Sequence, residues 1–265
     1  MNVGATAPGL AADSALEPLG DGRWRGDVSE RWWIQRGPFG GYVTAFLVRA
    51  LVTAVADPAR PPRSLTVHFL EAPVAGPVEV AATVERTGGS MTSASLRMEQ
   101  HGRPVALALA SAGAWRDDEA SWDELRPPPV PDPQDCPPLD ARGLPPFTDN
   151  FDVRWAGGER GRARNVTWVR TRPPAPLDHA VVAALSDTMV PAAFTRLGRF
   201  AVVPTLDLTI HFRAPLPPAG EDDGWALAAF RSGLAAGGVW EEDGELWSRG
   251  GVLLAQSRQL ALIRG

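Results

Sequence analysis

The sequence predicts an α+β protein made of two tandem copies of one module, in which a long helix packs against a curved antiparallel sheet. Three observations support this fold class. A pentapeptide recurs 143 residues later in the chain, a helical apolar pattern precedes both copies, and alternating strands follow both. A helix with one apolar stripe must bury that stripe, and a sheet curved around it is the economical solution.

The first copy opens with a helix. Over residues 41–51 the apolar residues keep the i, i+3, i+4, i+7 spacing of an amphipathic helix. The strand at residues 65–69 then alternates, with apolar residues on one face and Thr66 and His68 on the other. Further alternating strands follow, and an apolar strand at residues 102–112 closes the copy.

The second copy repeats this order. Residues 208–212 read Leu-Thr-Ile-His-Phe, where the first copy reads Leu-Thr-Val-His-Phe. A helical apolar pattern over residues 178–194 precedes them at the same separation as in the first copy, and Pro191 should end or kink that helix. An apolar strand at residues 250–263 closes the copy. We expect the two units to pair edge to edge, because pairing removes exposed strand edges.

A proline-rich segment separates the copies. Nine prolines between residues 127 and 146 exclude a helix or an inner strand. We therefore predict a first module over residues 1–115, an extended surface linker over residues 116–146, and a second module over residues 147–265 that carries the catalytic residues.

Composition excludes several classes of function. The 265 residues carry a net charge of -5 without a basic cluster, so we expect no nucleic-acid partner. The chain has no lysine, which excludes Schiff-base chemistry and a P-loop lysine. A single cysteine, Cys136, excludes internal disulfides and a cysteine metal cluster, and four dispersed histidines give no metal-ligand spacing.

The sequence also predicts a location. Residues 1–19 lack the basic start and continuous apolar core of a secretory signal. No uninterrupted stretch of about 18 apolar residues is present that would span a membrane. We expect a cytoplasmic protein without a membrane partner.

Short motifs occur in a fixed order along nearly the whole chain, apart from the linker. They are Phe39-Gly40-Gly41, Arg86-Thr87-Gly88-Gly89-Ser90, Gly102-Arg103-Pro104, Ser186-Asp187, Thr205-Leu206-Asp207, and Gly251-Val252-Leu253-Leu254-Ala255 leading to Gln259. This ordered set resembles the TesB-like family of acyl-CoA thioesterases (acyl-CoA thioesterase II type). The resemblance implies a double hotdog fold, in which two tandem modules share one continuous sheet.

The resemblance also implies an activity. Members of the family hydrolyse acyl thioesters of CoA, using a water molecule held by an Asp, a Thr and a Gln of the second hotdog, and they use no metal or organic cofactor. Matched by position, these residues are Asp187, Thr205 and Gln259. The chain departs from the family at Tyr42, where glutamine often follows the glycine pair, and this affects the expected substrate. We expect an acyl-CoA or acyl-carrier thioester as substrate, a role in fatty acid metabolism, and a homo-oligomer.

The expected chemistry fits these residue types. A carboxylate such as Asp187 can act as general base or nucleophile, while Thr and Gln side chains orient the water. Gly40, Gly41 and Tyr42 form the predicted oxyanion- and substrate-binding segment, because glycines at a helix start let free backbone N–H groups approach developing negative charge. This arrangement places the oxyanion hole in one module and the base in the other.

Each catalytic candidate also has a structural interpretation. Asp187 interrupts an apolar helical pattern near its C-terminal end, where the dipole disfavours an anion, and this favours a functional role. The structural alternative is an aspartate on the solvent side of the helix, or one that bonds its own turn. Strict alternation with Leu206 and Leu208 turns Thr205 away from the helix, so a functional Thr205 needs a cleft between modules or a β-bulge. Gln259 interrupts an otherwise apolar strand, which favours a functional role, and the structural alternative is a polar residue on a sheet face.

Histidine and tryptophan residues are assigned mainly to packing. His68 and His211 occupy equivalent positions opposite the apolar face, which indicates common ancestry and packing on the outer face rather than catalysis. For Trp32 and Trp33 we expect packing in the core or between modules, with an aromatic wall of the acyl or CoA channel as the alternative.

Other functions stay open at this point. A hotdog dehydratase or hydratase acts on the same thioesters, but its H-x-x-x-G-x-x-x-x-P motif is missing from the first half. Its second motif, D-x-x-x-[QH], is not matched either, because Pro191 stands four residues after Asp187. A serine hydrolase needs a G-x-S-x-G motif, which residues 88–92 do not match. The non-enzymatic alternative is an acyl-CoA or acyl-carrier binding module that keeps the fold without turnover.

Overall fold

A computed structural model of the chain describes residues 8–34, 36–116, 121–140, 142–159, 161–187, 190–199, 203–221 and 223–263. In these parts of the chain, thirteen strands form one antiparallel sheet that runs through both modules. The first module contains α1 (Leu10–Asp13), β1 (Glu17–Gly20), β2 (Arg23–Val28), α2 (Gly40–Val55), β3 (Pro62–Phe69), β4 (Gly76–Thr87), β5 (Met91–Gln100) and β6 (Arg103–Gly113).

The second module repeats the long sheet with a shorter central helix. It contains β7 (Phe151–Gly158), β8 (Arg164–Thr171), α3 (His179–Leu185), α4 (Ala192–Leu197), β9 (Thr205–Phe212), β10 (Ala226–Arg231), β11 (Ala235–Ala236), β12 (Val239–Ser248) and β13 (Leu253–Leu262). The strand order is β1-β2-β4-β5-β6-β3-β9-β13-β12-β10-β8-β7, and β11 pairs with β12.

The two modules meet around an internal pseudo-twofold axis. At the junction of β3 and β9, Thr66 lies opposite Thr209, and their hydroxyl groups are hydrogen-bonded at 3.0 Å. Below the sheet, α2 and α3 approach so closely that a Cβ on Gly41 would lie 2.3 Å from the carbonyl oxygen of Ala184. Both pairs are repeat equivalents. The predicted edge-to-edge pairing and the double hotdog architecture are confirmed.

Sequence pattern explains the central elements of the first module. In β3, Leu65 and Val67 are buried and His68 is exposed, so the predicted alternation is confirmed. The helix α2 departs from a simple amphipathic pattern, because residues 41–48 are all buried. The sheet covers one side of this helix and α3 covers another, which leaves little of its first half to solvent.

The central helix of the second module is interrupted. Asp178 caps α3 by accepting the Val181 N–H at 2.8 Å, but the helix ends at Leu185, and α4 begins only after Pro191. The predicted break therefore begins several residues upstream of the proline. Pro191 has no N–H to donate to the carbonyl oxygen of Asp187, and in a continuous helix its ring would clash with that carbonyl. As a result, Asp187 stands just beyond the helix end.

The proline-rich linker packs on the outer face of the second module. Cys136 is buried beside Trp168, whose indole N–H donates to the carbonyl oxygen of Pro131 at 2.9 Å. Backbone hydrogen bonds join the linker to β7, including one from Trp155 N–H to the Pro137 oxygen at 2.9 Å. These contacts cover an edge strand of the sheet. Residues 117–120 and 141, within the predicted linker, lie outside the described residues.

Aromatic side chains join the modules near the start of α2. Trp32 is fully buried, stacks on Tyr42 with ring centroids 5.0 Å apart, and meets Phe151 of the second module edge-on at 5.7 Å. Phe39 stacks on Phe147 of the second module at 5.1 Å. The packing interpretation of Trp32 is confirmed. Among the described residues, no helix is long and apolar enough to span a membrane.

Candidate active site at the module interface

Asp187 lies where the end of α3 meets the start of α2. Its N–H donates to the carbonyl oxygen of Ala184 at 3.3 Å, and its Oδ2 accepts the N–H of Gly41 at 2.8 Å. The N–H of Gly40 also donates to this carboxyl group. The first turn of α2 has free N–H groups and carries the positive end of the helix dipole. The first module therefore binds the acidic side chain of the second.

Two opposed effects set the pKa of Asp187. Burial between the helices raises the pKa because it disfavours the charged form, and the N–H groups of Gly41 and Gly40 lower it. Burial dominates, and the pKa of Asp187 is raised to about 7. A carboxyl group with this pKa can exchange a proton near neutral pH, which is the requirement for a general base.

Glycine is required at both positions that face this carboxyl group. A Cβ on Gly40 would lie 2.7 Å from Oδ2 of Asp187 and 2.9 Å from the ring of Phe69. A Cβ on Gly41 would lie 2.3 Å from the backbone oxygen of Ala184. Gly40 thus leaves room for the carboxylate, and Gly41 lets the two helices touch.

Thr205 and Gln259 are directly bonded to each other. The hydroxyl of Thr205 donates to Oε1 of Gln259 at 2.8 Å. The amide of Gln259 is buried, and its Nε2 donates to Oε1 of Glu242 at 2.8 Å. Three neighbouring strands, β9, β13 and β12, therefore present one hydrogen-bonded chain of side chains on the helix-facing side of the sheet.

A β-bulge turns Thr205 toward this chain. Ala261 pairs with Thr205 while Leu260 pairs with Asp207, so Leu206 is an extra residue in β9. The bulge shifts the side-chain alternation by one and places Thr205 on the same face as Gln259. The first module has a bulge at the equivalent place in β3, between Pro62 and Ser64. Of the two arrangements that sequence analysis required for a functional Thr205, the structure has the bulge.

Glu242 was not singled out by sequence analysis. It is buried, and besides the Gln259 contact its Oε2 accepts the N–H of Ala192. Burial raises the pKa of Glu242 well above its ordinary value, and the negative charge of Asp187 raises it further, against the lowering effect of the two N–H donors. The Ser257 hydroxyl donates to the Ser186 carbonyl oxygen at 3.4 Å, so the end of α3 that leads to Asp187 lies over β13, the strand that carries Gln259.

Strand phase is the signal that could have identified Glu242. The strand β12 carries four acidic residues, so composition alone does not distinguish them. Glu242 alone among them shares its alternation with the buried residues Trp240, Gly244 and Leu246. An acidic side chain in phase with the apolar face of a strand is an exception to ordinary burial, and such exceptions indicate functional sites.

The predicted oxyanion segment is used differently from the expectation. The N–H groups of Gly40 and Gly41 donate to Asp187, which is the strongest acceptor near them. Tyr42 is fully buried in the first module, where its hydroxyl donates to the Asp13 oxygen and accepts the Ser29 N–H at 3.3 Å. These contacts place the Tyr42 side chain in the core of the first module, away from a role in binding substrate.

The remaining candidates lie elsewhere. His68 and His211 are exposed on the outer face of the sheet, as predicted. Cys136, a residue of the linker, is buried against the second module. Among the described residues, no group of three or more His, Cys, Asp or Glu side chains is placed to hold a metal ion.

Comparison with known proteins identifies relatives of both modules. The family model of the acyl-CoA thioesterase N-terminal domain matches residues 28–113, and that of the acyl-CoA thioesterase C-terminal domain matches residues 125–263. An uncharacterised protein of Mycobacterium tuberculosis is 27% identical over 271 residues, covering 91% of this chain and 90% of its own length.

Solved structures show the same architecture. A hot dog fold protein of unknown function from Alicyclobacillus acidocaldarius is 31% identical, with a TM-score of 0.88 over 97% of this chain and 98% of its own. Acyl-CoA thioesterase II TesB2 from Mycobacterium marinum is 26% identical, with a TM-score of 0.78 over 96% and 98%. Since the family's two domains match the two modules in order, the chain belongs to the acyl-CoA thioesterase family, of the TesB-like double hotdog type.

Proposed function

We propose that this protein hydrolyses acyl-CoA thioesters and that Asp187 is the base that activates the attacking water. The observation that carries the proposal is the Asp187 carboxyl group itself. It is held by the Gly41 N–H of the other module at 2.8 Å, its pKa is about 7, and the preceding Ser186 contacts β13, the strand that carries Gln259 of the bonded pair Thr205 and Gln259. Membership of the acyl-CoA thioesterase family supports the substrate class.

In the proposed reaction, the ionised Asp187 takes a proton from a water molecule as the water oxygen attacks the thioester carbonyl carbon. The new carbon–oxygen bond produces a tetrahedral oxyanion. When the carbonyl re-forms, the carbon–sulfur bond breaks and the thiolate of CoA takes the proton from Asp187. The carboxylate is restored, and the products are the free acid and CoA.

Thr205 and Gln259 are suited to orient the water. The hydroxyl hydrogen of Thr205 is committed to Gln259, so the hydroxyl oxygen remains able to accept a hydrogen from water. Gln259 uses one Nε2 hydrogen toward Glu242, and the second can donate to the water or to the substrate carbonyl. Fixed donors and acceptors of this kind reduce the entropy cost of placing the water for attack.

Gly40 and Gly41 keep a proposed role in oxyanion stabilisation. In the resting site their N–H groups donate to the ionised carboxylate. Once Asp187 has taken the proton, its negative charge is lost while charge develops on the substrate oxygen. The same N–H groups can then stabilise the oxyanion, and such donors are typically worth about 2.7–4 kcal/mol in the transition state.

The experiment is a thiol-release assay over acyl-CoA substrates of different chain lengths, with wild type compared with Asp187→Asn. We expect the substitution to lower kcat by roughly 10²- to 10⁴-fold, the range of general base catalysis. Asp207→Asn is the matched control, because Asp207 lies in β9 on the face of Thr209 and exposed His211.

Two outcomes would contradict the proposal. Equal rates for wild type and Asp187→Asn would remove Asp187 from the mechanism. Binding of acyl-CoA without thiol release by wild type would favour the non-catalytic binding module. Acyl groups on a carrier protein, assayed in parallel, decide between the two thioester classes.

A further inference from the structure

We propose that Glu242 is a positioning residue, which holds the side-chain amide of Gln259 in the orientation that hydrolysis requires. The inference rests on the proposed function above. It is carried by the contacts of Glu242, by a comparison of the two modules, and by the place of Glu242 between β13 and the chain that follows Asp187.

The contacts show which neighbour decides the orientation of the amide. Gln259 places its oxygen toward Thr205 and its nitrogen toward Glu242. A hydroxyl can donate or accept, so Thr205 would tolerate the amide in either orientation. The ionised Glu242 carboxylate would not, because rotating the amide would set the Gln259 oxygen against the carboxylate oxygen that now accepts its N–H. The N–H groups of Gln259 and Ala192 both favour this ionised form. Glu242 therefore selects the orientation in which the Thr205 hydroxyl donates to Gln259.

The first module shows what the fold alone needs at these positions. In the second module, Gln259 pairs with Leu208 on one side and with Glu242 on the other. In the first module, the repeat equivalent of Leu208 is Leu65. The corresponding chain of pairs runs from Leu65 to Ala110 and then to Ala94.

The buried amide and carboxyl group thus replace two buried alanines. Ala94 and Ala110 are almost fully covered, so small apolar residues satisfy the packing of this sheet. Burying a carboxyl group is costly unless it is paired, and an apolar replacement is often neutral or stabilising. Packing of the fold therefore does not explain why a carboxyl group is buried at position 242, whereas the need to orient Gln259 does.

Glu242 also ties two parts of the site together. Its Oε1 binds Gln259 in β13, and its Oε2 binds the N–H of Ala192 at the start of α4. The α4 start follows the helix interruption at which Asp187 stands. One carboxyl group therefore connects the strand that carries Gln259 with the segment that follows Asp187.

Glu242→Gln is the decisive variant, because glutamine has one acceptor oxygen where two N–H donors must be satisfied. We expect kcat to fall roughly 10- to 100-fold, the usual effect of removing a residue that orients another, with KM nearly unchanged. Glu245→Gln is the matched control on the same strand, with its carboxyl group on the opposite face accepting the Trp247 indole N–H at 3.3 Å. Wild-type kcat in a folded Glu242→Gln protein would overturn the inference.

A double-mutant cycle separates positioning from a general structural role. If Glu242 acts through Gln259, then Glu242→Gln should cause little further loss of kcat in a Gln259→Ala background. Full additivity of the two losses would overturn the inference. If Glu242→Gln does not fold, Glu242→Ala takes its place, because Ala94 occupies the equivalent position in the first module.

A second measurement does not depend on turnover. The side-chain amide resonances of Gln259, identified in ¹H–¹⁵N spectra by their loss in Gln259→Ala, should shift in Glu242→Gln and stay in place in Glu245→Gln. Unshifted resonances in Glu242→Gln would overturn the inference. A wild-type protein without thiol release would instead overturn the proposed function, so the two failures are distinguishable.

Discussion

At the scale of single residues, the site depends on a carboxyl group whose burial and hydrogen bonds act in opposite directions. Complete loss of water contact would keep Asp187 protonated, whereas ordinary exposure would make it too weak a base. The Gly41 and Gly40 N–H groups offset part of the burial effect and leave the pKa of Asp187 at about 7. The base strength of Asp187 is therefore determined by both modules.

This pKa predicts the pH dependence of the reaction. Asp187 must be ionised to accept a proton, so kcat/KM should rise with pH and reach half its maximum near pH 7. An ordinary aspartate would reach that point near its usual pKa of about 4. The measurement is initial thiol release from pH 5 to pH 9, with folding checked at each pH. A rate that is already maximal at pH 5 would contradict the prediction.

The two glycines give a second prediction, with different effects at adjacent positions. Gly41→Ala should destabilise the protein by several kcal/mol, roughly the cost of overpacking or more, because its Cβ would lie 2.3 Å from the Ala184 backbone oxygen. Gly40→Ala should destabilise it less, because Oδ2 of Asp187, 2.7 Å from the new Cβ, can move. Its main effect should be a lower kcat.

Denaturant unfolding and the thiol-release assay, applied to both glycine variants, check this pair. Gly89→Ala serves as a control, because a Cβ there would meet no other residue within 4 Å. An unfolding free energy that is lowered more by Gly40→Ala than by Gly41→Ala would contradict our account of the helix crossing.

At the scale of elements, the regular parts of the fold were predictable and the interruptions were not. The repeat was visible because α2, β3 and β9 have strong local patterns, and the order of motifs led to Asp187, Thr205 and Gln259. The orientation of Thr205 depends on the bulge at Leu206, which is set by pairing with β13, a distant part of the chain. Local alternation cannot reveal such pairing.

The other differences have similar causes. The helical pattern over residues 178–194 was real, but α3 ends at Leu185, several residues before Pro191, and its last turn lies against Gly41 of α2. Glu242 was missed because four acids share β12, and only the phase of the strand shows which one turns inward. In each case the deciding information lies in tertiary contacts.

At the scale of the whole molecule, the site exists only where the modules join. The first module supplies the N–H groups of Gly40 and Gly41, and its strand β3 covers the edge of β9. The second supplies Asp187, Thr205, Glu242 and Gln259. Neither module contains both Asp187, the proposed base, and the glycine N–H groups that bind its carboxyl group.

Separated modules should therefore be inactive alone. Residues 125–263 expressed without the first module would lose the N–H donors to Asp187 and expose both β9 and α3. Loss of one such donor typically costs about 10²–10³ in kcat. We expect thiol release only when residues 1–116 are co-expressed and the two pieces elute together in size-exclusion chromatography. Full activity of residues 125–263 alone would contradict this prediction.

The alanine pair of the first module, Ala94 and Ala110, determines how many active sites we expect in each chain. The equivalent positions of the first module carry Ala94, Ala110, Pro62 and Thr44 in place of Glu242, Gln259, Thr205 and Asp187. On the proposed mechanism each polypeptide has a single competent half, and a tight inhibitor should titrate it at one equivalent per chain, whatever number of chains assemble. These positions of the first module are then constrained only by packing. The proposed mechanism assigns catalysis to the second copy of the duplicated module and support of the site to the first.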